Sequence, residues 1–146
     1  MNQKFRLVKS YSSLIIFSAP NKVGDITDLQ LVWMAKTAFG QMIDSYLNIE
    51  RLEESLAPGA MVLLAPPAGN KIYLASSIRH FAGRQSYTQS PVKLYLEQCV
   101  HRTDGRCAEF NVVEAYFEDN PSAEKCSLEG SKIVSWVRPT RGSTSV

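Results

Sequence analysis

The chain has 146 residues, 45% apolar and 21% charged, the size and make-up of one ordinary globular domain. Sixteen basic against 14 acidic residues leave a net charge of +2, which argues against a highly charged disordered chain and gives no electrostatic footprint for nucleic acid. No apolar run approaches the roughly 20 residues that span a bilayer. Three cysteines cannot all pair within the chain, which points to a reducing compartment and a cytoplasmic protein. Secretion is the alternative: Lys4, Arg6 and Lys9 form a basic stretch before an apolar one at 14–17, which is short for a signal and closely followed by Pro20.

Two short β-like runs, 5–9 and 14–18, predict an N-terminal arm or hairpin over 1–24, and 25–146 read as a single α/β domain. Thr27-x-x-Gln30 fits a capping box. Val32, Ala35, Phe39, Met42, Tyr46 and Ile49 then recur at steps of three and four, the stripe of a core-facing helix. Leu52 and Leu56 extend the pattern, and Pro58-Gly59 closes it. Residues 60–65 (AMVLLA) and 71–76 (KIYLAS) read as two strands joined by a Pro-Pro-Ala-Gly-Asn turn. The first is apolar almost throughout, as in a strand buried on both faces.

Residues 77–89 read as a polar loop with Arg79, His80 and Arg84, and Ser90-Pro91 as the start of a short helix to about Val100. A third helix spans 107–118, between the Asp104-Gly105 turn and Asn120-Pro121. Residues 132–137 (KIVSWV) form another strand, and 138–146 a short polar tail. The fold class is α/β, a small layered sandwich.

The helix at 107–118 carries the candidate chemistry. Asn111, Glu114 and Glu118 form a polar stripe, and at 100° per residue Glu109 lies about 170° away, beside Phe110, Val113, Tyr116 and Phe117. A carboxylate on an inner face needs a partner or a shifted pKa. The other reading makes Glu109 an acid of the helix first turn, favoured there by the dipole. Cys107 opens the same helix, where free N–H groups stabilise a thiolate, the form that ligates metal or attacks carbon. A buried structural thiol is the plainer fate of an isolated Cys.

Gly105-Arg106-Cys107-Ala108-Glu109 resembles the first motif, His/Cys-Ala-Glu, of the zinc-dependent cytidine deaminase superfamily. The resemblance covers residues 27–143 and implies a truncated deaminase fold in helix–hairpin–helix–strand order. It implies that Cys107 ligates zinc and Glu109 shuttles protons, while a zinc-activated water attacks a nucleobase-like amidine and ammonia leaves. The family's second motif, Pro-Cys-x-x-Cys, stands here as Pro139-Thr140-Arg141-Gly142-Ser143, without either cysteine. The sequence stops three residues later, so the remaining helix and strands of a full deaminase are expected to be missing.

Two functions follow as expectations. One is a deaminase-like domain with an altered or vestigial zinc centre, with Cys107 as metal ligand or nucleophile and Glu109 as acid/base. The other is a non-catalytic module that uses the same scaffold to bind a protein or nucleic-acid partner. Under either, the edge beside Ile133–Val137 needs covering, which predicts a homo-oligomer. Cys99-x-His101 with Cys107 and Cys126 matches no familiar zinc spacing. Cys107 with His101 or His80 would make a nucleophile–base pair whose proximity spacing does not test. Arg79, Arg84, Arg102 and Arg106 with Phe81 and Tyr87 offer charge and stacking, or are simply solvated loop residues.

Overall fold

The capping box forms as its spacing predicts. In the computed structural model of the chain, Thr27 Oγ1 accepts from the Gln30 main-chain N–H, and Gln30 Oε1 accepts from that of Thr27. These bonds satisfy two of the donors that a helix start leaves open. Helix α1 runs from there over Asp28–Asp44. The structure describes residues 10–54, 57–77 and 108–138, with only the backbone at Lys125 and Cys126.

The buried face of α1 differs from the expected stripe at both ends. Leu31, Ala35, Met42 and Tyr46 are buried, whereas Val32 is exposed and Ile49 is 72% exposed. Beyond Asp44 the helix widens into a π-type turn, Ser45–Ile49. A wider turn holds more residues, so positions after it rotate off the face that the 3.6-residue period assigns them. Arg51 then adopts a left-handed φ of 54°, and Leu52 N–H donates back to Tyr46 O. The helix therefore stops before the positions that the apolar pattern had suggested.

The two predicted strands are β2 (Ala60–Ala65) and β3 (Lys71–Ser76). Their turn contains Gly69 at φ 98°, a conformation that L side chains rarely adopt. Strand β1 (Ser12–Ile16) begins two residues earlier than the 14–18 run and pairs with β3. Strand β4 (Lys132–Val137) pairs with β2. The sheet is antiparallel in the order β1-β3-β2-β4.

Helix α2 spans Ala108–Asp119. It packs on β3 and β2 from one side, while α1 packs on β2 and β4 from the other. Side chains alternate across the pleat. Met61, Leu63, Ala65, Ile72 and Leu74 meet α1; Val62, Leu64, Tyr73 and Ala75 meet α2. The domain is thus a small α/β sandwich of three layers, and β2 is buried on both faces as its unbroken apolar run implies. The predicted helix from Pro91 to about Val100 and the 5–9 run lie outside the described residues.

Candidate functional site

One end of the sheet gathers the termini that matter. Strand β2 begins there and β3 and β4 end there, since Met61 pairs with both Ser76 and Trp136. The Arg138 N–H donates to Gly59 O, and Ser77 Oγ accepts from the Gly59 and Ala60 N–H groups. Helix α2 starts at this end, because Asn111 Nδ2 donates to Ser76 O at 2.9 Å. That bond supplies a donor to a carbonyl at the last residue of β3.

Asn111 therefore points towards the sheet, opposite to the expectation for the polar stripe. Glu114, on the same stripe, is only 7% exposed. Ala108, Val112, Tyr116 and Phe117 form the packed face of α2, with Phe110 and Val113 half-buried. Glu109 is exposed, so the expected inward carboxylate is corrected. The cause lies in CAEFNVVEAYFE itself, whose apolar residues surround the helix and define no single face. Small Ala108 lets the first turn approach the sheet, and Val112 and Tyr116 follow at steps of four. Glu109 stands where the first-turn reading puts an acid.

Cys107 lies outside the described residues, as do His80, Cys99, His101, Arg79, Phe81, Arg84, Tyr87, Arg102, Arg106 and 139–143. Among the described residues, no group of three or more His, Cys, Asp or Glu is placed to hold a metal. The zinc centre that the resemblance implies does not fit this donor set. Cys107 matches one ligand, while Thr140 and Ser143 offer hydroxyls where thiolates are required.

The opposite end of α2 holds a polar cluster that the sequence reading missed. Tyr73 OH donates to Asp119 Oδ2 and accepts from Asn120 Nδ2, and Lys71 Nζ donates to the same Asp119 oxygen at 3.0 Å. Burial, with the Asp119 hydrogen bond next, pushes the Tyr73 hydroxyl up to about 12. The Tyr73 and Lys71 hydrogen bonds hold the Asp119 carboxyl below its ordinary range. An acid at a helix C-terminus opposes the dipole; these partners offset that and tie α2 to β3. The near-neighbour spacing of Asp119 and Asn120 gave no sign of Tyr73, which is 46 residues away.

A groove of about 470 Å³ lies on the α1 side of the sheet, between α1 and β1. Met34, Gln41, Met42, Ser45, Tyr11 and Met61 contribute to its walls, and none of the described residues lining it is charged. Tyr11, at its end, donates to Glu50 Oε2, and burial together with that bond raises its hydroxyl to about 12. The described walls of the groove are therefore neutral and partly apolar.

No helix among the described residues is long and apolar enough to cross a membrane. Compared with known protein families, with curated proteins and with solved structures, the chain has no match.

Proposed function

We propose that this chain is a deaminase-like α/β domain with an altered centre, which receives a nucleobase-like amidine at the N-terminal end of α2. One observation carries the reading. Helix α2, whose first residues Ala108 and Glu109 belong to the Cys-Ala-Glu motif, starts at the sheet end where β3 and β4 finish, held by Asn111 on Ser76 O. Among the described residues, α1, the β2–β3 hairpin, α2 and β4 follow one another in the order that the resemblance leads one to expect, which supports the reading.

Exposure leaves the Glu109 carboxylate available to accept hydrogen bonds from the N–H groups of an amidine ring. In a turnover it would take a proton from the water that adds to the amidine carbon, pass it to the ring nitrogen, and deliver the second proton to the amine as the C–N bond breaks and ammonia leaves. Cys107 is the adjacent thiol, as nucleophile or as the remaining ligand of a reduced metal site. The mismatched donors make ligand binding without zinc hydrolysis the primary reading. We place the protein in a reducing, cytoplasmic compartment.

The test combines elemental mass spectrometry of the tag-free protein with cytosine and adenine nucleoside titrations. The unaltered chain, Glu109→Gln and Cys107→Ala are compared. The expected result is less than stoichiometric zinc, saturable nucleoside binding, and loss of that binding in Glu109→Gln at unchanged melting temperature. One zinc per chain, lost in Cys107→Ala and accompanied by ammonia release, replaces this reading with a zinc hydrolase. Absence of nucleoside binding overturns it and leaves the second reading, a non-catalytic module. The groove between α1 and β1, whose described walls are neutral and partly apolar, favours that reading.

A further inference from the structure

Strand β4 has a chemically palindromic sequence. From Lys132 to Arg138 it reads Lys-Ile-Val-Ser-Trp-Val-Arg: a base, a β-branched residue, an apolar residue, Ser135, an apolar residue, a β-branched residue and a base. It is an outer strand of the sheet, and among the described residues nothing pairs with its outer edge. The Arg138 N–H points to Gly59 O. Alternation along an antiparallel ladder then turns the main-chain groups of Lys132, Val134 and Trp136 toward β2, and those of Ile133, Ser135 and Val137 outward.

Apolar surface lies beside this edge. On the α2 side, Ile133 is 52% and Val137 61% exposed, because α2 covers β3 and β2. On α1, Trp33 is 66% exposed and shares Lys36 with Trp136 of β4. Among the described residues, Ile133 and Val137 on β4 and Trp33, which shares Lys36 with Trp136, are thus exposed hydrophobic residues on or next to this strand.

We infer that β4 is a self-association edge, and that two copies of this chain join through antiparallel β4–β4 pairing about a two-fold axis at Ser135. A palindromic strand is what such an isologous contact requires, since each residue meets its own mirror position. Ile133 faces Val137 of the other copy twice, Ser135 faces itself, and Val134 faces Trp136. The outward main-chain groups of Ile133, Ser135 and Val137 then oppose one another as hydrogen-bonded pairs.

Charge fits the same register. Lys132 is paired with Asp28 and Arg138 with Glu54. Facing Lys132 and Arg138 of two copies thus bring two bases and two acids together at each end. The bases are neutralised where unpaired lysines would guard a strand edge against association.

Helix geometry agrees as well. Asp28 reaches Lys132, and Lys36 lies 5.5 Å from both the Trp33 and Trp136 ring centres, so α1 runs in the same direction as β4. It straddles β2 and β4. With strands about 4.8 Å apart, the two α1 axes come to about 10 Å, the spacing at which helices pack.

Sedimentation of the full chain tests this, with Ser135→Pro, Ser135→Cys and Ile133→Cys. The unaltered chain should sediment at twice its 16.3 kDa mass. Ser135→Pro removes an outward N–H and should give a monomer with unchanged circular dichroism. Under mild oxidation Ser135→Cys should form a cross-linked dimer beyond any seen with the native cysteines, since facing Cα atoms lie about 5.5 Å apart. Ile133→Cys should not, because its symmetry mate lies four residues along the strand. A monomeric unaltered chain at every concentration overturns the proposal. So does a dimer whose Ser135→Cys form fails to cross-link, or cross-links no better than Ile133→Cys.

Discussion

Asn111 and Glu109 are two residues apart on one helix and have opposite fates. Asn111 holds a strand-end carbonyl, and Glu109 faces solvent. Asn111→Ala leaves Ser76 O short of a donor and should cost about 1–3 kcal/mol by urea denaturation. Glu109→Gln should stay within about 0.5 kcal/mol of the parent, as exposed substitutions do. A large loss at Glu109 would mean that it has a structural role. The Tyr73–Asp119 pair adds a pH dependence with two limbs. Asp119 has a lowered pKa in the fold, so its contribution is present above the unfolded carboxyl pKa and is lost as pH falls through the folded one. Tyr73 is raised to about 12, so its contribution is present below the unfolded value near 10 and is lost as pH climbs toward 12. Urea midpoints followed across pH should show a shallower acid limb in Asp119→Asn. Tyr73→Phe should only partly flatten the alkaline limb, because Tyr11 is also raised to about 12.

Among the elements, those with local determinants were legible from the sequence and those set by partners were not. The Thr27–Gln30 box, the β2–β3 hairpin and the stop of α2 before Asn120 each depend on residues within a few positions. Strand β1 was harder to read: Ser12 and Ser13 lack strand character, and the strand exists because β3 offers an edge. The rotation of α2 was misread for a related reason. Its inward face is decided by the fit of Ala108 to the sheet and by the need of Ser76 O for a donor, two tertiary facts. Of the motif Cys107-Ala108-Glu109, the described part is Ala108 and Glu109, and their helix end is placed by a contact, Asn111 on Ser76 O, that no spacing rule contains. Where the determinant is local, its removal should have a local cost. Thr27→Ala removes a reciprocal pair of bonds and should lower stability by about 0.5–2 kcal/mol, read from the urea midpoint with an unchanged slope. A changed slope would mean that the cap also shapes the unfolded chain.

The whole molecule depends on a strand with no solvent face. Leu63 and Leu64 are adjacent in β2 and both are buried, yet they belong to separate cores, Leu63 beneath α1 and Leu64 beneath α2. A sheet with one wet face would bury only one of them, and truncating the other would cost little. Here both layers contribute, so Leu63→Ala and Leu64→Ala should each cost about 2–5 kcal/mol. Small domains have total stabilities of only about 5–15 kcal/mol, so either change alone should shift the thermal midpoint by many degrees, and the pair should leave little folded protein. Each single variant should also loosen one face first. Hydrogen exchange should quicken in α1 for Leu63→Ala and in α2 for Leu64→Ala, ahead of global opening. Equal acceleration in both helices would show that the two cores open as one unit. The end of α2 that carries Glu109 would then be no more mobile than α1. Separate responses would make that end adjustable without disturbing α1, the β4 edge or the ion pairs that join them.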